Sequence, residues 1–147
     1  MSRFALIAAF WAAALPAAAA PGPSEVYEAP GLGREAITRR ALVCIPKFAT
    51  SGLTTAPTII SSDPEAGFVQ AHNVFKAVGF AVPTSRSTIT FEAKDGRFRI
   101  SHGDLAVMIG ARWADANHPS KGTISHLRGQ SFQIANCIQQ GPVSDDF

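Results

Sequence analysis

Cysteine is scarce in this chain, with two residues, Cys44 and Cys137, among 147. They do not form a C-x-x-C pair, which excludes a dithiol redox centre of that type, and neither stands at a spacing that makes a zinc motif. An excess of one charge is also missing. Once Arg3 is set aside with the N-terminal segment, 12 basic residues face 11 acidic ones. They are scattered, so the basic stripe of a nucleic-acid binder is excluded. No long apolar run follows the first 20 residues, and no internal repeat is seen. There is no G-x-S-x-G elbow, no P-loop and no dinucleotide fingerprint. Asp63 and Glu65 lie close together, but calcium-loop spacing is absent, and Asp-Pro-Glu is ordinary turn chemistry. The four histidines, His72, His102, His118 and His126, share no ligand spacing. That favours surface or strand-edge histidines over metal ligands.

What is present begins with a leader. Arg3 is followed by an apolar stretch from Phe4 to Leu15, then Pro16 and a run of alanines. A basic start, a short apolar region and small residues make a secretory signal peptide over residues 1–20. No cysteine stands at the cleavage region, so lipid attachment there is unsupported. The remaining chain, about 125 residues, is one domain's length. The expected domain covers residues 24–140, and residues 141–147 form a flexible tail. The expected location is periplasmic or secreted, with no membrane contact after cleavage. In such an oxidising compartment two cysteines default to one disulfide, Cys44 to Cys137; two buried free thiols are the alternative.

The clearest pattern is central. Ile89, Phe91 and Ala93 alternate with Thr88, Thr90, Glu92 and Lys94; after Asp95-Gly96, Phe98 and Ile100 alternate with Arg97, Arg99 and Ser101. Period two predicts half-buried strands. Asp-Gly between them suits a two-residue type I′ turn. That loop length sets the register: Lys94 faces Arg97, Ala93 faces Phe98, Phe91 faces Ile100, and Glu92 faces Arg99 across the polar face. His102 falls opposite Ile89 at the strand end. An earlier, less regular hairpin joins Thr58–Ser61 to Phe68–Phe75 through Ser62-Asp63-Pro64-Glu65-Ala66-Gly67. Glu25–Glu28 reads as a short first strand, closed by Pro30-Gly31. Gly33 to Phe48 reads as a helix with Ile37, Ala41, Cys44, Ile45 and Phe48 on one face, and Pro46 is expected to end its regular part near Ile45. Asp104–Gly110 fits a strand or a helix equally. Trp113–Gly122 reads as a loop, with Trp113 at a core edge. Thr123–Gln140 reads as a helix with an Ile124, Leu127, Ser131, Ile134, Ile138 stripe, and Gly141-Pro142 ends it.

The result is an α+β fold: a curved antiparallel sheet of about five strands, ordered β-α-β-β-β-β-α, with both helices on one face. That order resembles the DUF4468 family of exported bacterial proteins with a TBP-like fold. The segments EVYEAPGLGREAITRRALVCI, IISSDPEAGFVQA and STITFEAKDGRFRISHGDL carry the resemblance, which spans Ser24 to Leu105. The resemblance implies the fold and no catalytic residue, and a TBP-like shape does not imply DNA binding. No cofactor or metal is called for. The expected role is a non-catalytic binding or assembly module of the bacterial envelope, its partner unknown beyond another envelope protein. A secreted enzyme inhibitor and an enzyme with an unrecognised site are the alternatives. The candidate binding face is the wet side of the second hairpin: Thr88, Thr90, Glu92, Arg99 and Ser101. The competing reading is a solvated face of mixed charges.

Export predicts a shortened chain. Intact-mass measurement of protein recovered from the periplasm or medium should place the new N-terminus between about Ala19 and Gly22. A full-length species would make the leader an uncleaved anchor.

Overall fold

The computed structural model describes residues 22–77 and 83–141; the expected leader and the rest of the expected tail lie outside them. The chain runs β1 (Ser24–Glu28), α1 (Arg34–Phe48), β2 (Ile59–Asp63), β3 (Phe68–Phe75), β4 (Ser85–Lys94), β5 (Arg97–Ile109), β6 (Arg112–Asp115) and α2 (Lys121–Gln140). The strands form one antiparallel sheet ordered β1-β5-β4-β3-β2, with β6 also paired to β5. The α+β class and the two-helix, antiparallel-sheet architecture are as the sequence predicts.

The β4–β5 hairpin takes the expected register, from Lys94↔Arg97 and Glu92↔Arg99 to Ile89↔His102. Its dry side is the centre of the core. Ile89, Phe91 and Ile100 are fully buried, and Phe91 packs on Phe98 with ring centroids 5.5 Å apart. Tyr27 of β1 stacks on the other side of this aromatic pair, 5.5 Å from Phe98. Ile37, Ala41, Cys44 and Ile45 of α1 cover the same cluster, as do Ile134, Ala135 and Ile138 of α2. Both helices therefore bury their apolar stripes on one sheet face.

The turn is not type I′. Gly96 has φ +76°, while Asp95 is not among the residues with positive φ, so the signs are those of a type II turn. The reason is tertiary. The Arg34 N–H donates to Asp95 Oδ1 at 2.8 Å, the Gly96 N–H donates to the Leu32 carbonyl at 2.9 Å, and the Ala29 N–H donates to the Gly96 carbonyl at 2.8 Å. Gly33, the N-cap of α1, has no side chain to cap it, and Asp95 supplies the missing acceptor from across the chain. In the first hairpin, Asp63 Oδ1 accepts the Ala66 N–H at 3.0 Å. Gly67 has φ +76°, and a Cβ there would stand 2.7 Å from Arg34 Cγ and 2.5 Å from the Ala93 carbonyl oxygen. Only glycine fits that close approach.

Three local expectations change. Helix α1 continues through Pro46 to Phe48, and the Ala49 N–H closes its last turn on the Ile45 carbonyl at 2.9 Å. The missing proline donor is tolerated one turn from the end, where Pro46 is exposed. The ambiguous segment from Asp104 is strand: β5 extends to Ile109 through a bulge. Thr88 pairs Gly103 while Arg86 pairs Ala106, so β5 carries one extra residue, with Asp104 at φ +51°. The bulge reverses the inside–outside alternation, which is why no single period fits this segment. Finally, the start of the expected Trp113–Gly122 loop is strand: Arg112–Asp115 is β6, joined to β5 by a two-residue turn at Gly110-Ala111. The sheet thus has six strands, not five.

The Cys44–Cys137 disulfide joins the two helices, with Cα atoms 5.8 Å apart. Nearby, Arg40 Nη1 donates to the Ile138 carbonyl at 2.9 Å, and Gln139 Nε2 donates to the Glu28 carbonyl at 2.7 Å. These bonds satisfy late carbonyls of α2 and of β1.

Two measurements follow from this packing. In denaturant melts, Phe91→Ala should cost about 3–5 kcal/mol through the cavity it leaves, and Thr90→Ala on the opposite face less than about 1 kcal/mol. Equal costs would mean that the faces are misassigned. The disulfide links residues 93 apart. Loop-closure entropy then gives up to about 4–5 kcal/mol, so reduced protein should unfold at markedly lower denaturant than oxidised protein. Coincident midpoints would refute that contribution.

Candidate functional site

The predicted face lies on the side of the sheet that neither helix covers. Thr88, Thr90 and Glu92 point outward from β4, and Arg99 and Ser101 from the neighbouring β5. The pairing brings them together: Thr90 faces Ser101 and Glu92 faces Arg99. Arg99 Nη1 lies 3.8 Å from Glu92 Oε2, a loose pair with both side chains more than half exposed. Such a contact contributes little to stability. Ser101 is further tied to Ser24 of β1, Oγ to Oγ at 2.8 Å.

The face is wider than the predicted five residues. Strand β3 adds Phe68 opposite Glu92, Gln70 opposite Thr90 and His72 opposite Thr88. Strand β1 adds Val26 opposite Arg99, which is 54 % exposed. Alternation in Phe68–Phe75 could have assigned these β3 residues outward, since Val69, Ala71 and Asn73 are the buried set. A shallow depression of about 400 Å³ opens at the hairpin end of this face. Val26 and Phe68 give it apolar walls, and Glu92, Lys94, Arg97 and Arg99 give it charged ones. At the opposite end the Arg86 guanidinium lies 4.6 Å from the centroid of the Trp113 ring, a cation–π contact. Trp113, expected at a core edge, is half-buried on β6 opposite Met108 and packs in neither buried cluster.

The histidines do not gather on this face. His72 is exposed on it and His118 is exposed in the loop before α2. His126 stacks on Phe75 at 4.9 Å on the helix side. His102 corrects the surface or strand-edge expectation: it is 2 % exposed, on the dry side, because β5 does not end there. One ring nitrogen, Nδ1, lies 3.2 Å from Ser87 Oγ, and the other, Nε2, lies 2.8 Å from Ser131 Oγ. Asn73 Nδ2 donates to Ser87 Oγ at 3.0 Å and to Gln130 Oε1 at 2.7 Å. Gln130 Nε2 donates to Asn73 Oδ1 at 2.8 Å and to the Phe48 carbonyl at 2.7 Å. Each polar group is satisfied, which is what makes this burial tolerable. Burial is the main cause, and the His126 charge a second one, that hold the His102 pKa down to about 4; a Leu127 backbone hydrogen bond acts in the opposite direction. The imidazole is therefore neutral near pH 7.

Sequence reasoning placed Ser131 on the apolar stripe of α2 but did not connect it to His102. The serine–histidine contact has the spacing of a nucleophile and its base. Both residues are 2 % exposed, however, so a substrate does not reach them, and the contact is a core polar bridge. His72, His102 and Asp104, the residues whose convergence would mark an unrecognised catalytic site, point to different places: outer face, core and bulge. Among the described residues no group of three or more histidine, cysteine or acidic side chains is arranged to hold a metal ion. No helix among them is long and apolar enough to cross a membrane.

Comparison with known proteins places this architecture. No family model matches the sequence, and no curated protein matches it. Crystal structures of bacterial proteins resemble the fold. A DUF4468 family protein from Bacteroides ovatus superposes with a TM-score of 0.57 at 12 % identity, over 83 % of this chain and 87 % of that one. A TBP-like protein from Parabacteroides distasonis superposes with a TM-score of 0.65 at 9 % identity, over 81 % of this chain and 92 % of that one. At such identities the likeness is one of fold alone. The chain has the TBP-like α+β fold that its strand and helix order predicted.

Proposed function

We propose that this chain is an exported, non-catalytic binding module of the bacterial envelope, related to the DUF4468 proteins, and that it docks a protein partner on its uncovered sheet face. The observation that carries this reading is the division of the sheet. One side is sealed by two cross-linked helices. The other presents Thr88, Thr90, Glu92, Arg99 and Ser101 on one face, with a depression at its hairpin end where Val26 and Phe68 stand beside Glu92 and Arg99. Apolar side chains ringed by hydrogen-bonding and charged groups are what a protein interface uses. A rigid sheet held by β4 and β5 presents them with little ordering cost on binding. The sequence leader and the inter-helix disulfide support export.

The test is affinity capture from an envelope fraction with three versions of the mature protein. The unaltered protein and Arg39→Glu, on the exposed helix side, should recover the same partner; Arg99→Glu with Thr90→Arg should reduce that recovery at least tenfold. Lack of a reproducible partner, or equal recovery by the sheet-face variant, would overturn the reading.

A further inference from the structure

Helix α2 is held to the molecule in two chemically different ways. Its C-terminal half belongs to the main core through Ile134, Ala135 and Ile138. That half is also fixed by Cys44–Cys137 and by the hydrogen bonds from Arg40 and Gln139. The N-terminal half meets the sheet through a separate cluster of three buried residues, Phe75, Leu105 and Leu127. Beside it lies the polar network of His102, Ser131, Ser87, Asn73 and Gln130. Gly129 stands at the junction. A Cβ there would meet nothing within 4 Å, so packing does not require glycine. Its presence makes the helix weaker there by about 1 kcal/mol than alanine would.

We propose that the N-terminal part of α2, Lys121–Ser131, is an acid-released flap: protonation of His102 frees it from the sheet, with Gly129 its weakest point, while the C-terminal part stays tethered by Cys44–Cys137. A neutral imidazole donates from one ring nitrogen and accepts at the other, and the two serine hydroxyls can serve either need. A protonated ring has two donors and a charge to compensate. The Leu127 backbone hydrogen bond favours the charged ring, but burial outweighs it, and the other groups around the ring offer no compensation. From α2 come His126, whose charge opposes a second one nearby, and Arg128, which pairs with Glu25 at 3.3 Å. From β1 comes Glu25, a carboxylate already engaged by Arg128 and by the Tyr27 hydroxyl. From β3 and β4 come the neutral Asn73 and Ser87, and from α1 the Phe48 carbonyl, bound to Gln130 rather than to the ring. Burial lowers the His126 pKa as well, so its protonation also favours release.

The direction with pH follows from linkage. Docked, His102 titrates near 4; released to water, it returns to its ordinary 6.5. The docked state therefore has its full advantage above pH 6.5 and loses it as pH falls toward 4. Opening bares Phe75 and Leu105 while the main core stays closed, so this is a local transition rather than global unfolding.

Amide hydrogen exchange on the oxidised protein, corrected for the intrinsic pH dependence of exchange, tests this. Amides of Leu127–Ser131 should open about 20-fold more at pH 5 than at pH 7, while those of Ile134–Gln140 keep their protection. His102→Gln should abolish the pH response. Gly129→Ala should slow opening of the N-terminal half about fivefold at both pH values. Should His102→Gln fail to fold, Gly129→Ala and the contrast between the halves still decide. Equal acid response of both halves, no response in either, an unchanged response in a folded His102→Gln protein, or no slowing by Gly129→Ala would each overturn the flap.

Discussion

The two-residue turn at Asp95-Gly96 is the constraint on which the rest of the fold depends. Its length fixes the register of β4 against β5, and a slip by one residue would turn Phe91, Phe98 and Ile100 out to solvent. The same turn fixes where α1 begins. The Asp95 carboxylate accepts the first helical N–H, at Arg34, and both backbone groups of Gly96 bond to the β1–α1 connection. A carboxylate at that end also complements the helix dipole. Once α1 is seated, Arg34 crosses Gly67, so the first hairpin is locked against the same corner. Register, helix placement and hairpin packing are therefore one decision.

This explains what was legible in the sequence. Strict alternation over Ser87–His102 and a loop of two residues contain the β4–β5 pairing from the turn to Ile89↔His102, because both are local properties. The turn type was not legible. Asp-Gly permits two positive φ values, but Asp95 is held by an acceptor role toward a helix 61 residues away in the chain. The bulge at Asp104 was hidden for a different reason. It needs a positive φ at a residue other than glycine and inverts the periodicity that strand recognition uses. β6 followed from that loss, since four residues without a strong turn signal carry little information until β5 is known to continue.

The candidate site divides in the same way. Thr88, Thr90, Glu92, Arg99 and Ser101 could be assigned to one face because period two assigns faces directly. Their neighbours Val26 and Phe68 come from strands that touch β5 and β4 only in the assembled sheet. The polar core was the least legible part. His102, Ser131, Asn73 and Gln130 come from three elements, and each residue alone reads as a polar interruption of an apolar stripe. Mutual satisfaction turns these interruptions into an interface, and that is a property of the set.

The position of the disulfide becomes intelligible from this asymmetry. The sheet is already continuous through its ladders, so a cross-link there would add little that register does not supply. The helices lack such a ladder. Each is held by one face, and half of the α2 face is polar, where net stabilisation per hydrogen bond is only about 1 kcal/mol. Cys44 is fully buried in the densest part of α1, and Cys137 lies beside Ile134 and Ile138, the strongest part of α2. The covalent bond therefore reinforces the end of α2 that packing already holds and leaves the polar end to depend on protonation. A cross-link near Gln130 would have fixed the whole helix. Placed at residue 137, it separates the stability of the helix layer from the mobility of one half of it.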